Sequence, residues 1–167
     1  MHLPGYPAPV TDVLVATDAD WVFDEIDAAL GDAETTVHRV STGFEVRPFV
    51  KEHEPDLVVL DLQIGNMGGI ATCLDLRLEA GAGRVPEPVV LMLLDRHADV
   101  FLARRSEADG WLIKPLDSIR VRRAATTLLG GQTYYEGVDD PASVDASTES
   151  MLAGGDEAKA EPATSDA

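Results

Sequence analysis

The sequence predicts a doubly wound α/β fold, with a five-stranded parallel sheet of order 2-1-3-4-5 flanked by five helices. Three observations predict it. From residue 12 to about residue 130, short apolar runs alternate with longer amphipathic stretches. The runs are nearly continuous in apolar residues, without the in–out alternation of a half-exposed strand, so both faces are expected to be covered. The strict succession of the two kinds of segment is that of strands joined by crossover helices.

The elements follow in order. Residues 13–16 (VLVA) form the first strand, and residues 20–30 the first helix. Residues 35–40 (TTVHRV) are more polar, as suits an edge strand. Residues 43–53 form the second helix, where Thr42 and Glu45 have the spacing of a capping box. Residues 57–60 (LVVL) and 89–94 (VVLMLL) are the most apolar runs and the central strands, separated by a helix over 68–80. A helix over 96–106, a strand over 111–113 and a helix over 116–129 complete the set, with Pro115 expected in the first turn of the last helix, where its missing N–H costs little. Residues 1–11 are read as an extension. Beyond residue 130 the composition turns to Asp, Glu, Ser, Ala, Pro and Gly, so residues 131–167 are expected to be an acidic, disordered tail with no output domain attached. Tyr134 and Tyr135 are expected to pack back on the domain before it frays.

Charge narrows the partners. The chain of 167 residues has a net charge of −17. Residues 131–167 carry nine acids against Lys159, and residues 1–130 carry 21 acids against 12 bases, so both parts are acidic. That argues against a nucleic-acid partner, which needs a basic surface. The start, MHLPGYPAPV, lacks a basic segment followed by an apolar one, and no apolar run is long enough to span a bilayer. A single cysteine, Cys73, excludes an internal disulfide and is read as a small buried residue of the third helix. The expectation is a cytoplasmic protein without membrane insertion.

In a sheet of this order, ligands bind at the carboxyl ends of the strands, where the strand order reverses. The first strand exits into Thr17-Asp18, the third into Asp61, and the fifth into Lys114-Pro115. Each has an ordinary structural account alone: an aspartate there caps the next helix, and a Lys-Pro pair begins one. Together they bring two carboxylates and an ammonium to one rim. Such carboxylates repel unless a cation neutralises them, which a hard divalent ion held by one or two carboxylates, waters and a carbonyl does. A neutralised carboxylate can attack phosphorus, and a lysine can offset the charge of the transferred group.

The residues at these strand ends resemble the receiver domain of bacterial two-component systems, a CheY-like member of the flavodoxin-like folds. The resemblance runs over residues 12–130. It is strongest at Pro55-Asp56-Leu57-Val58-Val59-Leu60-Asp61-Leu62 followed by Gly68-Gly69, similar to the family's PDLVLLDLxMPxMxG, with Gly65 at the usual proline. Gly110-Trp111-Leu112-Ile113-Lys114-Pro115 is similar to DYLxKP. The resemblance implies that Asp61 is the phosphoacceptor, Lys114 the phosphate-pairing lysine and Asp18 the direct ligand of a Mg2+ ion, with Gln63 offering its backbone carbonyl. It implies a histidine kinase or phosphotransfer protein as donor and a downstream protein as receiver of the signal. Two departures bear on this. Thr17 replaces the first of two adjacent acids, which should weaken the metal site. The fourth strand ends in Met92, Leu93 and Leu94, where the family has a hydroxyl that bonds the phosphoryl group. Such a bond is worth about 1.5–3 kcal/mol, and its loss would cut a phosphorylation-driven population shift by about 10- to 150-fold. Leu93, Leu94 and Trp111, at the aromatic switch position, are expected at the switch and partner surface.

Two functions compete on these residues: a stand-alone receiver phosphorylated at Asp61, and a phosphorylation-independent pseudo-receiver acting as an interaction module or accessory subunit. Beyond self-phosphorylation and dephosphorylation no enzymatic activity is expected, and nothing specific supports a small-molecule site at the rim. The Gly65-Asn66-Met67-Gly68-Gly69 loop lacks the spacing of a dinucleotide or P-loop fingerprint. His2, His38, His53 and His97 lack the spacing of zinc ligands. Arg104, Arg105, Arg120, Arg122 and Arg123 read either as a solvated face or as a docking surface.

Overall fold

The computed structural model describes residues 11–138. Its strands are β1 (Thr11–Ala16), β2 (Thr35–Val40), β3 (Leu57–Asp61), β4 (Val89–Leu94), β5 (Gly110–Ile113) and β6 (Tyr134–Tyr135). Its helices are α1 (Asp20–Leu30), α2 (Val46–His53), α3 (Gly69–Gly81), α4 (Val100–Arg105) and α5 (Ser118–Leu129). The sheet is parallel throughout, with order β2-β1-β3-β4-β5-β6.

The apolar runs are buried as continuous stretches because consecutive side chains enter two different cores. Val13, Val15, Leu57, Val59, Leu91, Leu93 and Leu112 meet Val22 and Ile26 of α1 and Val121, Ala124 and Leu128 of α5. Their neighbours Leu14, Val58, Leu60, Val90 and Met92 point to the other face and are also buried. Cys73 and Leu76 of α3 and Val100 and Ala103 of α4 are buried among the helices covering that side. Each such aliphatic side chain contributes about 1.5–3 kcal/mol on leaving water. Pairing brings Leu60 level with Ala16 and Met92, and Asp61 level with Leu93, so the strand ends share one rim.

Local signals act largely where the sequence places them. The Glu45 carboxylate accepts from the Thr42 N–H at 2.9 Å and the Thr42 hydroxyl at 2.8 Å. The box caps a 3-10 turn over Gly43–Glu45 from which α2 continues, so the expected single helix over 43–53 is two segments. The expected helix over 96–106 likewise opens as a 3-10 turn, His97–Asp99, with the Arg96 N–H bonded to Asp99 at 2.9 Å. Pro115 is a correction. It follows a cis peptide bond and stands ahead of α5, whose N-cap is Asp117, accepting from the Arg120 N–H at 2.9 Å.

The larger difference is the sixth strand. Within the stretch read as the start of the tail, Tyr134 and Tyr135 pack back on the domain as a short strand paired to β5. Gly131 turns the chain with φ +81°, and the Tyr134 carbonyl oxygen reaches 2.5 Å from the place a Cβ on Gly110 would occupy. Only glycine at 110 admits that approach. Tyr135 then lies on the Trp111 ring at 4.2 Å between centroids. The expected extension at 1–10 and acidic tail at 139–167 fall outside the described residues.

Candidate functional site

Four strand ends build the rim. Asp61 closes β3 and is 2% exposed. Its Oδ1 accepts from the Lys114 ammonium at 2.7 Å and from the Gln63 N–H at 3.3 Å. Its Oδ2 accepts from the Thr17 hydroxyl at 2.7 Å. Thr17 is itself fully buried, and its oxygen accepts from the Ala19 N–H at 3.1 Å. Arg39 on β2 fixes this turn by donating to the Thr17 carbonyl at 3.1 Å and to Asp20 at 2.8 Å. Lys114 is set by its own N–H, which donates to the Leu94 carbonyl at 2.8 Å.

The Lys114 ammonium has a second carboxylate partner, Asp95 Oδ1, at 2.8 Å. It also stands 5.6 Å from the centre of the Trp21 ring, close enough for a cation–π attraction. Burial works to lower the Lys114 pKa, and the hydrogen bonds and charges of Asp61 and Asp95 outweigh it, so the ammonium is held above its ordinary value. Asp18 occupies the same rim but is exposed and makes no hydrogen bond or ion pair among the described residues. Its Oδ2 lies beside Gly65, 3.2 Å from where a Cβ there would sit.

Of the residues expected at the site, Asp61 and Lys114 are therefore in contact, and Asp18 and Gln63 line the same end of the sheet. Asp18 and Asp61 with the carbonyl following Leu62 make an all-oxygen donor set of the kind Mg2+ takes when waters fill the remaining positions. Among the described residues no group of three or more His, Cys, Asp or Glu side chains gathers as a metal site. Leu93 and Leu94 are fully buried, and Trp111 is 3% exposed. These three present no surface to a partner, because both faces of the sheet are covered. Trp111 is pinned further by its indole N–H, which donates to the Glu136 carbonyl at 2.8 Å.

Sequence reasoning passed over three participants. Asp95 directly follows the fourth apolar run, and asking where that strand exits would have found it. Thr17 is more than a lost acid, since its hydroxyl bonds the Asp61 carboxylate. Glu136, in the supposed tail, accepts from Arg120 Nε at 2.8 Å, from Arg120 Nη2 and from the Ile113 N–H at 3.0 Å. Arg120 donates also to the Pro115 and Ile113 carbonyls, and Arg122 to the Ala29 carbonyl. Arg120 and Arg122 thus bond the fold, Arg122 while remaining exposed, and Arg104, Arg105 and Arg123 are the other exposed members of the basic clusters.

Residues 13–126 match the family model of the response regulator receiver domain. The chain belongs to this family. Receiver domains act in two-component signalling, where they interact with histidine kinases or phosphotransfer proteins, and they generally bind Mg2+ at their acidic phosphorylation site. Among curated relatives, the DNA-binding response regulator MtrA of Mycobacterium tuberculosis is 34% identical over 98 residues, covering 53% of this chain and 41% of its own. The nitrate/nitrite response regulator protein NarL of Escherichia coli is 30% identical over 98 residues, covering 59% of this chain and 44% of its own. The receiver chain thus spans less than half the length of these relatives. Chemotaxis response regulator CheY4 of Vibrio cholerae superposes with a TM-score of 0.62 at 20% identity, covering 71% of this chain and 98% of that one. A LuxR-family two-component response regulator from Aurantimonas sp. superposes with a TM-score of 0.64 at 20% identity, covering 86% and 99%. At such identities the likeness shows the fold alone. No helix among the described residues is long and apolar enough to cross a membrane.

Proposed function

We propose that this receiver domain accepts a phosphoryl group on Asp61 from a histidine kinase or phosphotransfer protein and signals through contacts with another protein. The observation that carries the reading is the Lys114 ammonium 2.7 Å from the Asp61 carboxylate at the switch-point rim of the sheet. The reaction makes a bond between an Asp61 carboxylate oxygen and phosphorus. It breaks the bond from phosphorus to the donor's imidazole nitrogen, which keeps the electron pair and takes a proton. Lys114 is placed to follow the negative charge as it moves from the carboxylate to the phosphoryl oxygens. Thr17 orients the carboxylate by its hydroxyl, and Asp18 and Asp61, with the Gln63 carbonyl, are the residues that would hold Mg2+. The ion, when bound, supplies neutralising charge for the carboxylates and the incoming group.

A second reading, a phosphorylation-independent interaction module, has its own support. Both Asp61 oxygens already have strong partners in Lys114 and Thr17. The residue paired with Asp61 on β4 is Leu93, which has no hydroxyl to follow a phosphoryl group. Intact mass separates the two readings after incubation with acetyl phosphate and Mg2+. A gain of one phosphoryl group that disappears in Asp61→Asn supports the acceptor. No gain at any Mg2+ concentration leaves the interaction module.

A further inference from the structure

We propose that Asp95 is a positioning residue for Lys114: it shares the ammonium with Asp61 and takes over the third acidic place of the rim, which Thr17 leaves empty at the end of β1. This deepens the acceptor reading and rests on it for its consequence, though not for its geometry.

The geometry is a clamp. Lys114 Nζ lies 2.7 Å from Asp61 and 2.8 Å from Asp95, with the Trp21 ring 5.6 Å away, and the lysine side chain is 11% exposed. An ammonium withdrawn this far from water keeps its charge only where carboxylates replace the lost hydration. With Asp61 as its only carboxylate partner, the ammonium would cancel more of the Asp61 charge that a metal ion or a phosphoryl donor must meet. Asp95 sits at the end of β4, next to Leu94, whose carbonyl anchors the Lys114 backbone. It is 30% exposed, so it holds the ammonium from the solvent side. Dividing the cation between two carboxylates leaves part of the Asp61 charge uncancelled and able to attract a second cation. The rim therefore carries three carboxylates and one ammonium, with the third acid on the lysine's side in place of one at position 17.

The test reads the lysine first, without metal or phosphodonor. The chain has only three lysines, Lys51, Lys114 and Lys159, so 15N-lysine labelling gives at most three ammonium signals, and Lys114→Gln assigns one of them. A clamped ammonium exchanges its protons slowly and yields a sharp signal. Asp95→Asn should abolish or broaden it, and Asp95→Glu should restore it. An absent Lys114 signal in the natural protein, or an unchanged one in Asp95→Asn, overturns the proposal. Mg2+ titration followed by Trp21 fluorescence reads the consequence. Asp95→Asn should weaken binding about 3- to 10-fold, and that loss should vanish when Lys114→Gln is already present, because contacting groups couple. A loss of the same size in both backgrounds would make Asp95 a source of field only and overturn its positioning role. Absence of phosphorylation in the natural protein would remove the acceptor reading and leave the ammonium result standing by itself.

Discussion

Removing Lys114 should destabilise this protein far more than removing the charge of Asp61. Asp61 is 2% exposed, and its only cationic partner among the described residues is Lys114. Lys114→Met leaves a buried carboxylate without a countercharge, a change that costs about 3–5 kcal/mol in general. Here the Thr17 hydroxyl and the Gln63 N–H still bond the carboxylate, which places the cost near 3 kcal/mol. Asp61→Asn is milder, because the ammonium it releases keeps Asp95 at 2.8 Å and reaches water more readily than Asp61 does. Its cost should stay within about 1 kcal/mol. The double variant then loses the orphaned charge and should recover about 2 kcal/mol over Lys114→Met alone. Urea unfolding followed by circular dichroism at neutral pH measures all four proteins. A Lys114→Met protein within about 1 kcal/mol of the parent, or a double variant no more stable than Lys114→Met, would show that Lys114 is not the countercharge that keeps Asp61 buried.

Glu136→Ala should cost about 2 kcal/mol, since it orphans the Ile113 N–H and strips Arg120 of its closer carboxylate, leaving it Asp117 at 3.4 Å, and chemical denaturation together with Trp111 emission would register it. Unaltered Trp111 emission would show that β6 is held by other contacts. Gly110→Ala places a Cβ against the Tyr134 carbonyl and should release β6 from β5, seen as faster amide exchange at Glu136 with little change at β1 and β3. Cys73 is buried, and burial pushes its thiol up to about 11. It should resist thiol reagents at pH 8 in the native protein and react fully in urea. Below the unfolded thiol's value both states hold the proton; between that value and about 11 only the folded state does, so Cys73 makes stability fall as pH rises through this window, and Cys73→Ala should flatten that slope.

The alternation of apolar runs and amphipathic stretches determined by itself the α/β class, the positions of five strands and five helices, and the rim on which Asp18, Asp61 and Lys114 stand. These are period and order along the chain, and burial on two faces leaves a mark in composition that needs no partner to be read. The Thr42–Glu45 cap was legible for the same reason, being a contact over three residues. Tertiary structure alone decided what those rim residues touch. Asp95 and Lys114 are 19 residues apart, Thr17 and Asp61 are 44 apart, and their bonds exist only because β1, β3, β4 and β5 end level with one another. It decided β6 as well. Two tyrosines in a polar, acidic stretch have no strand signature of their own, and they join the sheet because Gly110 lets the backbone approach and Arg120, 16 residues before Glu136, waits for its carboxylate. Propensity and periodicity are local sums, whereas a single ion pair or a missing Cβ acts across the fold.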